Sequence, residues 1–404
     1  MKILIIGNGA AAISGAKAVR QMNRDWEIEL LSDEVHPFYS RVMLPEYLAG
    51  NIRRTDLYLV DWDFYRDLGI KATLGAQVEA LEPKLARVIT ASGQRIHYDL
   101  LLIASGAGPV LPGVEGINLK GVFTLRSIDD VEAIRRYLQS TNVERAIIVG
   151  GGLVSLRTAE AFHKLGIPTT IVVSSSRLMS QTLDEASSEA LLRAVRKAGH
   201  EVLLNEDVTA FYGTTHLRGA KLASGGKAAG QLALIGKGVR PRLSLVEGTS
   251  IAVDRGILVD EYLRTSIPKI YAAGDVTQSY DLIRKRRVCN GIWPSAVRQG
   301  RIAGCNMAGL SISDEGDLPM NSVHVFGCSI CSLGVLAGDE TYVRGSLRDN
   351  NYRKLVFSGS QLVGALFWGS LRDAGRCYWL LRTGRHPTGG TLPLVWDGMP
   401  LGRC

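Results

Sequence analysis

A strand, a glycine-rich turn and a helix can be read from Lys2 to Arg20, and no other feature limits the possible folds so strongly. The run Ile3-Leu4-Ile5-Ile6 has no polar alternation, as expected of a strand covered on both faces in a parallel sheet. Gly7-Asn8-Gly9-Ala10-Ala11-Ala12 follows, with the spacing of a dinucleotide-binding turn. Gly7 permits the tight turn. Gly9 removes a side chain where a pyrophosphate must approach the backbone. Ala12 lets helix and strand pack closely. The amides at Ala10 and Ala11 then head a helix whose positive end favours an anion. A second strand, Glu27 to Leu31, should be followed by an acid that holds a ribose hydroxyl, and Asp33 and Glu34 stand there.

The pattern recurs. Ala146 to Val149 reads as a strand, and Gly150-Gly151-Gly152-Leu153-Val154-Ser155 as a second fingerprint with Ser155 in place of Gly or Ala. A serine is small enough to keep the turn. The next strand, Thr169 to Val173, ends in Ser174-Ser175-Ser176-Arg177 with no carboxylate, and an arginine with serines can accept a 2′-phosphate. Tyr98 to Ala107 reads as a buried strand ending in small residues. Pro109, Pro112 and Gly113 mark a crossing between domains, and Leu232 to Pro241 precedes the return. Lys269 to Asp275 is a third strand-and-turn. After about residue 318, alternating segments such as Tyr352 to Phe357 and Leu362 to Trp368 suggest antiparallel strands. The tail from His386 to Cys404, with Trp396, reads as an irregular arm.

The 404 residues leave room for two or three domains. Hydrophobic residues make up 46% and charged residues 21%, a globular composition. No apolar stretch approaches the roughly 18 residues of a membrane span. The strand at Lys2 leaves no room for a signal peptide, so a cytoplasmic location is expected. A net charge of +8 suits an anionic cofactor or an acidic partner. No aromatic-basic cluster points to nucleic acid. The six cysteines, all in the last third, are too sparse for a secreted disulfide framework.

With both fingerprints in view, the whole chain resembles the flavoproteins with two dinucleotide-binding domains, the pyridine nucleotide-disulfide oxidoreductase superfamily. Within it the chain is most similar to rubredoxin reductases and the FAD region of NADH-dependent nitrite reductases. The residues that carry the likeness are Pro37-Phe38-Tyr39-Ser40-Arg41-Val42-Met43-Leu44-Pro45-Glu46-Tyr47-Leu48-Ala49-Gly50, Ala104-Ser105-Gly106, Gly236 to Pro241, Ala273-Gly274-Asp275, and Trp293-Pro294-Ser295-Ala296 with Gln299-Gly300. The resemblance implies an α/β fold with two Rossmann-like FAD/NAD-binding domains, glutathione-reductase-like, and a small C-terminal α+β domain. Residues 1–112 with 247–318 would form a discontinuous FAD domain, 113–246 an NAD(P)-binding-like domain, and 319–404 the last. It also implies roles. Gly7, Gly9 and Ala12 would cradle the FAD pyrophosphate, and Asp33 or Glu34 would hold the adenosine ribose. Arg41 would lie against the FAD, and the Val78 backbone would meet the adenine. Asp275, after Gly274, would take the ribityl hydroxyl, aided by a helix beginning after it. The Trp293 helix would back the flavin. Gly150, Gly152, Ser155 and Arg177 would face NAD(P)H.

Two departures from the family pattern matter. Disulfide reductases carry a reactive cysteine beside the flavin, but Ser40 to Pro45 has none and no cysteine precedes Cys289. Arg157 stands where a glutamate normally reaches the flavin and nicotinamide, which reverses the charge there or brings a cation to a phosphate. Flavin bridges two-electron and one-electron chemistry without a side-chain nucleophile or acid-base pair. The expected function is therefore electron transfer between NAD(P)H and an iron–sulfur protein or subunit. In one version this chain is the flavin subunit of a larger complex, such as a tungsten aldehyde oxidoreductase or a nitrite reductase. Two alternatives stand beside it: a non-enzymatic FAD-carrying subunit with a degenerate NAD site, and a disulfide reductase using Cys328 and Cys331. The lone CxxC formed by those two reads first as buried structural thiols. The run Arg284-Lys285-Arg286-Arg287 is either a solvated loop or a docking patch for an acidic partner.

Overall fold

In the computed structural model, which describes residues 1–385, the opening run Lys2–Ile6 is the middle strand of a five-stranded sheet. Leu100–Ile103 and then Ile270–Ala272 lie on one side, Glu27–Ser32 and then Ile70–Leu74 on the other. All four pairings are parallel, with Ile5 opposite both Leu30 and Leu102. The unbroken apolar run follows from this position, because Ile3, Leu4 and Ile5 have no exposed surface.

The second fingerprint repeats the plan. Ala146–Val149 is the middle strand of another five-stranded parallel sheet. Thr169–Val173 and Glu201–Leu204 extend it on one side, Leu232–Ile235 and Val122–Phe123 on the other. The third sheet is antiparallel, in the order Met320–Val325, Cys328–Gly334, Gln361–Gly369, Asn351–Ser358, Glu340–Arg344. Helix Ala374–Thr383 packs on it. The two segments expected to alternate from Tyr352 and from Leu362 are its Asn351–Ser358 and Gln361–Gly369 strands. The tail from His386 lies outside the described residues.

The chain divides into two units. One comprises Met1–Ser40, Arg54–Gly108 and Val239–Asp317; the other comprises Arg41–Arg53, Pro109–Gly238 and the chain from Leu318 onward. Residues 41–53 join the second unit because helix Leu44–Leu48 is tied there, the Tyr47 hydroxyl donating to Glu132 on helix Ile128–Ser140. The antiparallel sheet is tied to the same unit through Asp184, the N-cap of helix Glu185–Lys197, which accepts from Tyr352 at 2.8 Å and Lys354 at 3.2 Å.

In the first unit, helices Ala10–Met22 and Trp293–Met307 touch backbone to backbone. A Cβ at Gly300 would come within 2.1 Å of the Ala11 carbonyl oxygen, and one at Gly304 within 2.4 Å of that of Gly15. Only glycine allows this approach.

Candidate functional site

Gly7 and Gly9 hold the first turn for different reasons. Gly7 has φ +113°, and a Cβ there would lie 2.2 Å from the Ala104 carbonyl oxygen. Gly9 is the extended N-cap of helix Ala10–Met22, has no side chain to cap it, and would meet nothing within 4 Å if a Cβ were added. The first-turn amides of Ala10, Ala11 and Ala12 therefore face a space without a side-chain acceptor, at the positive end of a helix. This is the fit an anionic pyrophosphate requires. Asn8 pins the turn: its Nδ2 donates to the His36 carbonyl at 3.1 Å, and its Oδ1 accepts from Tyr65 at 2.9 Å.

The other residues expected to meet the FAD fall in the same unit, except Arg41, which belongs to the second unit. Strand Glu27–Ser32 ends just before Asp33 and Glu34. Asp33 pairs with Arg242 at 2.7 Å, and Glu34 accepts from the Tyr39 hydroxyl at 2.5 Å. Gly106 has φ +69°, and its carbonyl accepts from the Arg242 amide at 3.0 Å. Ser105 donates to the Arg242 carbonyl at 3.4 Å. Val78 opens the antiparallel strand Val78–Glu82.

One expectation needs correction. No helix starts directly after Asp275. A strand, Thr277–Asp281, and its hairpin partner, Arg286–Val288, intervene, and the helix starts at Trp293. The chain nevertheless returns to Asp275 before that helix, since a Cβ at Gly291 would lie 3.4 Å from the Asp275 carboxyl carbon. The helix also fixes the turn. Gln299 Oε1 accepts from the Gly274 amide at 2.8 Å and from Thr277 at 3.0 Å, while its Nε2 donates to Ser279 at 3.0 Å. Trp293 stacks on Phe38 at 5.5 Å. The buried Ser295 Oγ and Asn290 Nδ2 have no partner among the described residues, a second sign that polar ligand atoms belong nearby. Asn8, Tyr65, Arg242 and Asn290 were not anticipated, because their roles depend on neighbours distant in sequence.

In the second unit, Gly150 has φ +122°, and a Cβ there would be 2.3 Å from the Gly236 carbonyl oxygen. Gly152 is again an open N-cap without a side-chain cap. Ser155 is fully buried and donates to the Gly236 carbonyl at 3.3 Å. A Cβ at Gly236 would sit 2.1 Å from the serine oxygen, so the two residues suit each other and the turn is intact.

Arg157 contacts carboxylates. Its guanidinium bonds Glu46 and Glu160 and donates to the His324 carbonyl at 2.9 Å. Burial opposes ionisation of Glu46, but Asn51, Arg157 and Lys164 outweigh it and hold its carboxyl below the usual range. Glu160 also accepts from the Phe326 amide at 3.0 Å. The cation is thus spent on joining residues 44–48, helix Leu153–Lys164 and strand Met320–Val325. Arg41, in the same unit, donates to the Arg126 carbonyl at 2.8 Å.

Cys328 and Cys331 are free, buried and three apart on one strand, so they point to opposite faces roughly 10 Å apart. Burial raises the Cys328 thiol and pushes Cys331 up to about 11. Neither is a ready nucleophile, and the geometry does not make a dithiol pair. Among the described residues no cluster of His, Cys, Asp and Glu could hold a metal, and no helix is long and apolar enough to cross a membrane.

Known proteins resemble this chain along most of its length. A family model described as pyridine nucleotide-disulphide oxidoreductase matches residues 1–300, and one described as rubredoxin NAD+ reductase C-terminal domain matches 319–384. The NADH-dependent phenylglyoxylate dehydrogenase subunit epsilon of Aromatoleum evansii is 30% identical over 91% of this chain and 87% of its own. The assimilatory nitrate reductase electron transfer subunit of Bacillus subtilis is 27% identical over 93% of this chain, which spans only 48% of that protein. The crystal structure of NADH:rubredoxin oxidoreductase from Clostridium acetobutylicum superposes with a TM-score of 0.78 at 24% identity, over 98% of this chain and 99% of that one.

Proposed function

The chain belongs to the pyridine nucleotide-disulphide oxidoreductase family, whose members use FAD and NAD(P)H, and from that premise we propose that it passes electrons from NAD(P)H to an iron–sulfur protein or subunit. The carrying observation is the pair of open glycine cradles, at Gly9 and at Gly152, without a competent thiol pair among the described residues. The names of the relatives point the same way: an electron transfer subunit, a subunit of an NADH-dependent dehydrogenase and a rubredoxin oxidoreductase.

Bound FAD supplies a centre that takes a hydride and releases electrons singly. The residues do the rest. The Gly9 cradle binds the pyrophosphate, Glu34 and Asp33 lie where the adenosine ribose is recognised, and Asp275 is held by the Gln299-braced turn for the ribityl chain. The Gly152 cradle takes the pyrophosphate of the pyridine nucleotide. Ser155 fits against Gly236, so the second turn keeps its shape. The exposed cations Lys285, Arg286 and Arg287, on the hairpin after Asp275, offer an acidic partner a complementary surface.

Anaerobic stopped-flow mixing with NADH and NADPH tests the reading. Bleaching of the flavin band near about 450 nm, followed by its return when an oxidised iron–sulfur protein is added, is expected. If neither nucleotide bleaches the band, pyridine-nucleotide use is wrong.

A further inference from the structure

We propose that the second fingerprint selects a nucleotide carrying a 2′-phosphate, NADPH over NADH, through Ser174, Ser176 and Arg177; this rests on the reading above and narrows it. These residues follow strand Thr169–Val173, whose carboxyl end is where the ribose of a nucleotide on the adjoining turn must lie. The segment folds back onto that turn. The Met179 amide donates to the Gly151 carbonyl at 2.9 Å, and a Cβ at Gly151 would lie 3.2 Å from Leu178 Cδ2.

A carboxylate at this spot would accept from a free 2′-hydroxyl and repel a phosphate. The sequence supplies none there. Ser174 and Ser176 are exposed, and their hydroxyls make no hydrogen bond among the described residues. Arg177 is half-buried. One Nη donates to the Ser180 carbonyl at 3.2 Å, while its buried Nε has no partner among the described residues. Ser175 donates to the Arg177 carbonyl at 2.8 Å and fixes the backbone. Arg177 has no counter-ion among the described residues.

The acids on the neighbouring turn do not supply one. The Glu206 amide donates to the Val173 carbonyl at 3.0 Å, but its carboxylate accepts from the Asp207 and Ser224 amides at 3.0 and 3.2 Å. Asp207 pairs with Lys237 at 2.6 Å. A guanidinium anchored at one end and lacking an anion, on a segment that also carries two uncommitted hydroxyls, suits a phosphate, whose oxygens accept its fork of donors.

The test is calorimetric binding of 2′,5′-ADP and 5′-AMP to the FAD-loaded full chain, beside flavin reduction by NADPH and NADH. The expected preference for 2′,5′-ADP is about tenfold or more. Arg177→Ala should erase it with flavin content unchanged, and Arg177→Lys should keep part of it. Equal binding by the two fragments, or a preference that survives Arg177→Ala, overturns the proposal. Equally efficient reduction by NADH and NADPH also overturns it while leaving electron transfer intact. If 2′,5′-ADP binds preferentially but neither nucleotide reduces the flavin, the phosphate site stands and the electron-transfer reading fails.

Discussion

Gly7 and Gly9 are two letters of one motif under opposite constraints. Gly7 is hemmed in by the Ala104 carbonyl, so Gly7→Ala should fail to fold or to hold flavin. Gly9 faces open space at an ordinary backbone angle, φ −96°. Gly9→Asp should therefore fold with little change in melting temperature yet lose its FAD, because a carboxylate now faces the pyrophosphate. The flavin-to-protein absorbance ratio reads this; full occupancy in Gly9→Asp would contradict the cradle. His200 offers a separate test. Burial, and then the neighbouring His163, lower its pKa to about 4, and its Nδ1 sits 2.7 Å from the Thr169 hydroxyl. Between pH 6.5 and about 4 the unfolded chain takes up a proton that the folded chain does not. Stability should fall as pH drops through that window, by up to about 3 kcal/mol. Urea unfolding at several pH values should show this slope, and His200→Gln should flatten it. Residues like Gly7 were legible because each motif position has one local reason. The Arg157 contacts were not, because Glu46 and His324 lie more than a hundred residues away on either side.

At the level of elements, the strands and fingerprint helices could be read because apolar runs and glycine punctuation are local signals. The hairpin after Asp275 could not, since its strand Arg286–Val288 is a cationic run with no alternation to mark it. Nor could the attachment of residues 41–53, which depends on carboxylates and cations brought together by folding. The contact of helices Ala10–Met22 and Trp293–Met307 makes a sharp prediction. Gly300→Ala places a methyl group against the Ala11 carbonyl and should cost about 1–3 kcal/mol in thermal unfolding. It should also loosen flavin binding, because the same helix braces Gly274 through Gln299. The hairpin itself carries exposed charge. Reversing Lys285, Arg286 and Arg287 to Glu should raise KM for an acidic iron–sulfur acceptor several-fold at low salt, and leave flavin reduction by the nucleotide unchanged. Unaltered acceptor kinetics would show that the run is only solvated.

At the scale of the whole molecule, the order of four parallel strands is built twice around a glycine fingerprint, the fifth strand differing, with an antiparallel sheet tied to the second copy through Asp184. On the proposed reading, two cradles serve one flavin, with no competent thiol pair among the described residues to store a second pair of electrons. The most direct measurement is an anaerobic titration of the FAD-loaded chain with NADPH, following the flavin absorbance. A single equivalent should complete the bleaching, since a lone flavin accepts one hydride. An unbleached flavin, or a requirement for a second equivalent with a thiolate charge-transfer band between, would contradict a lone flavin reduced by NADPH.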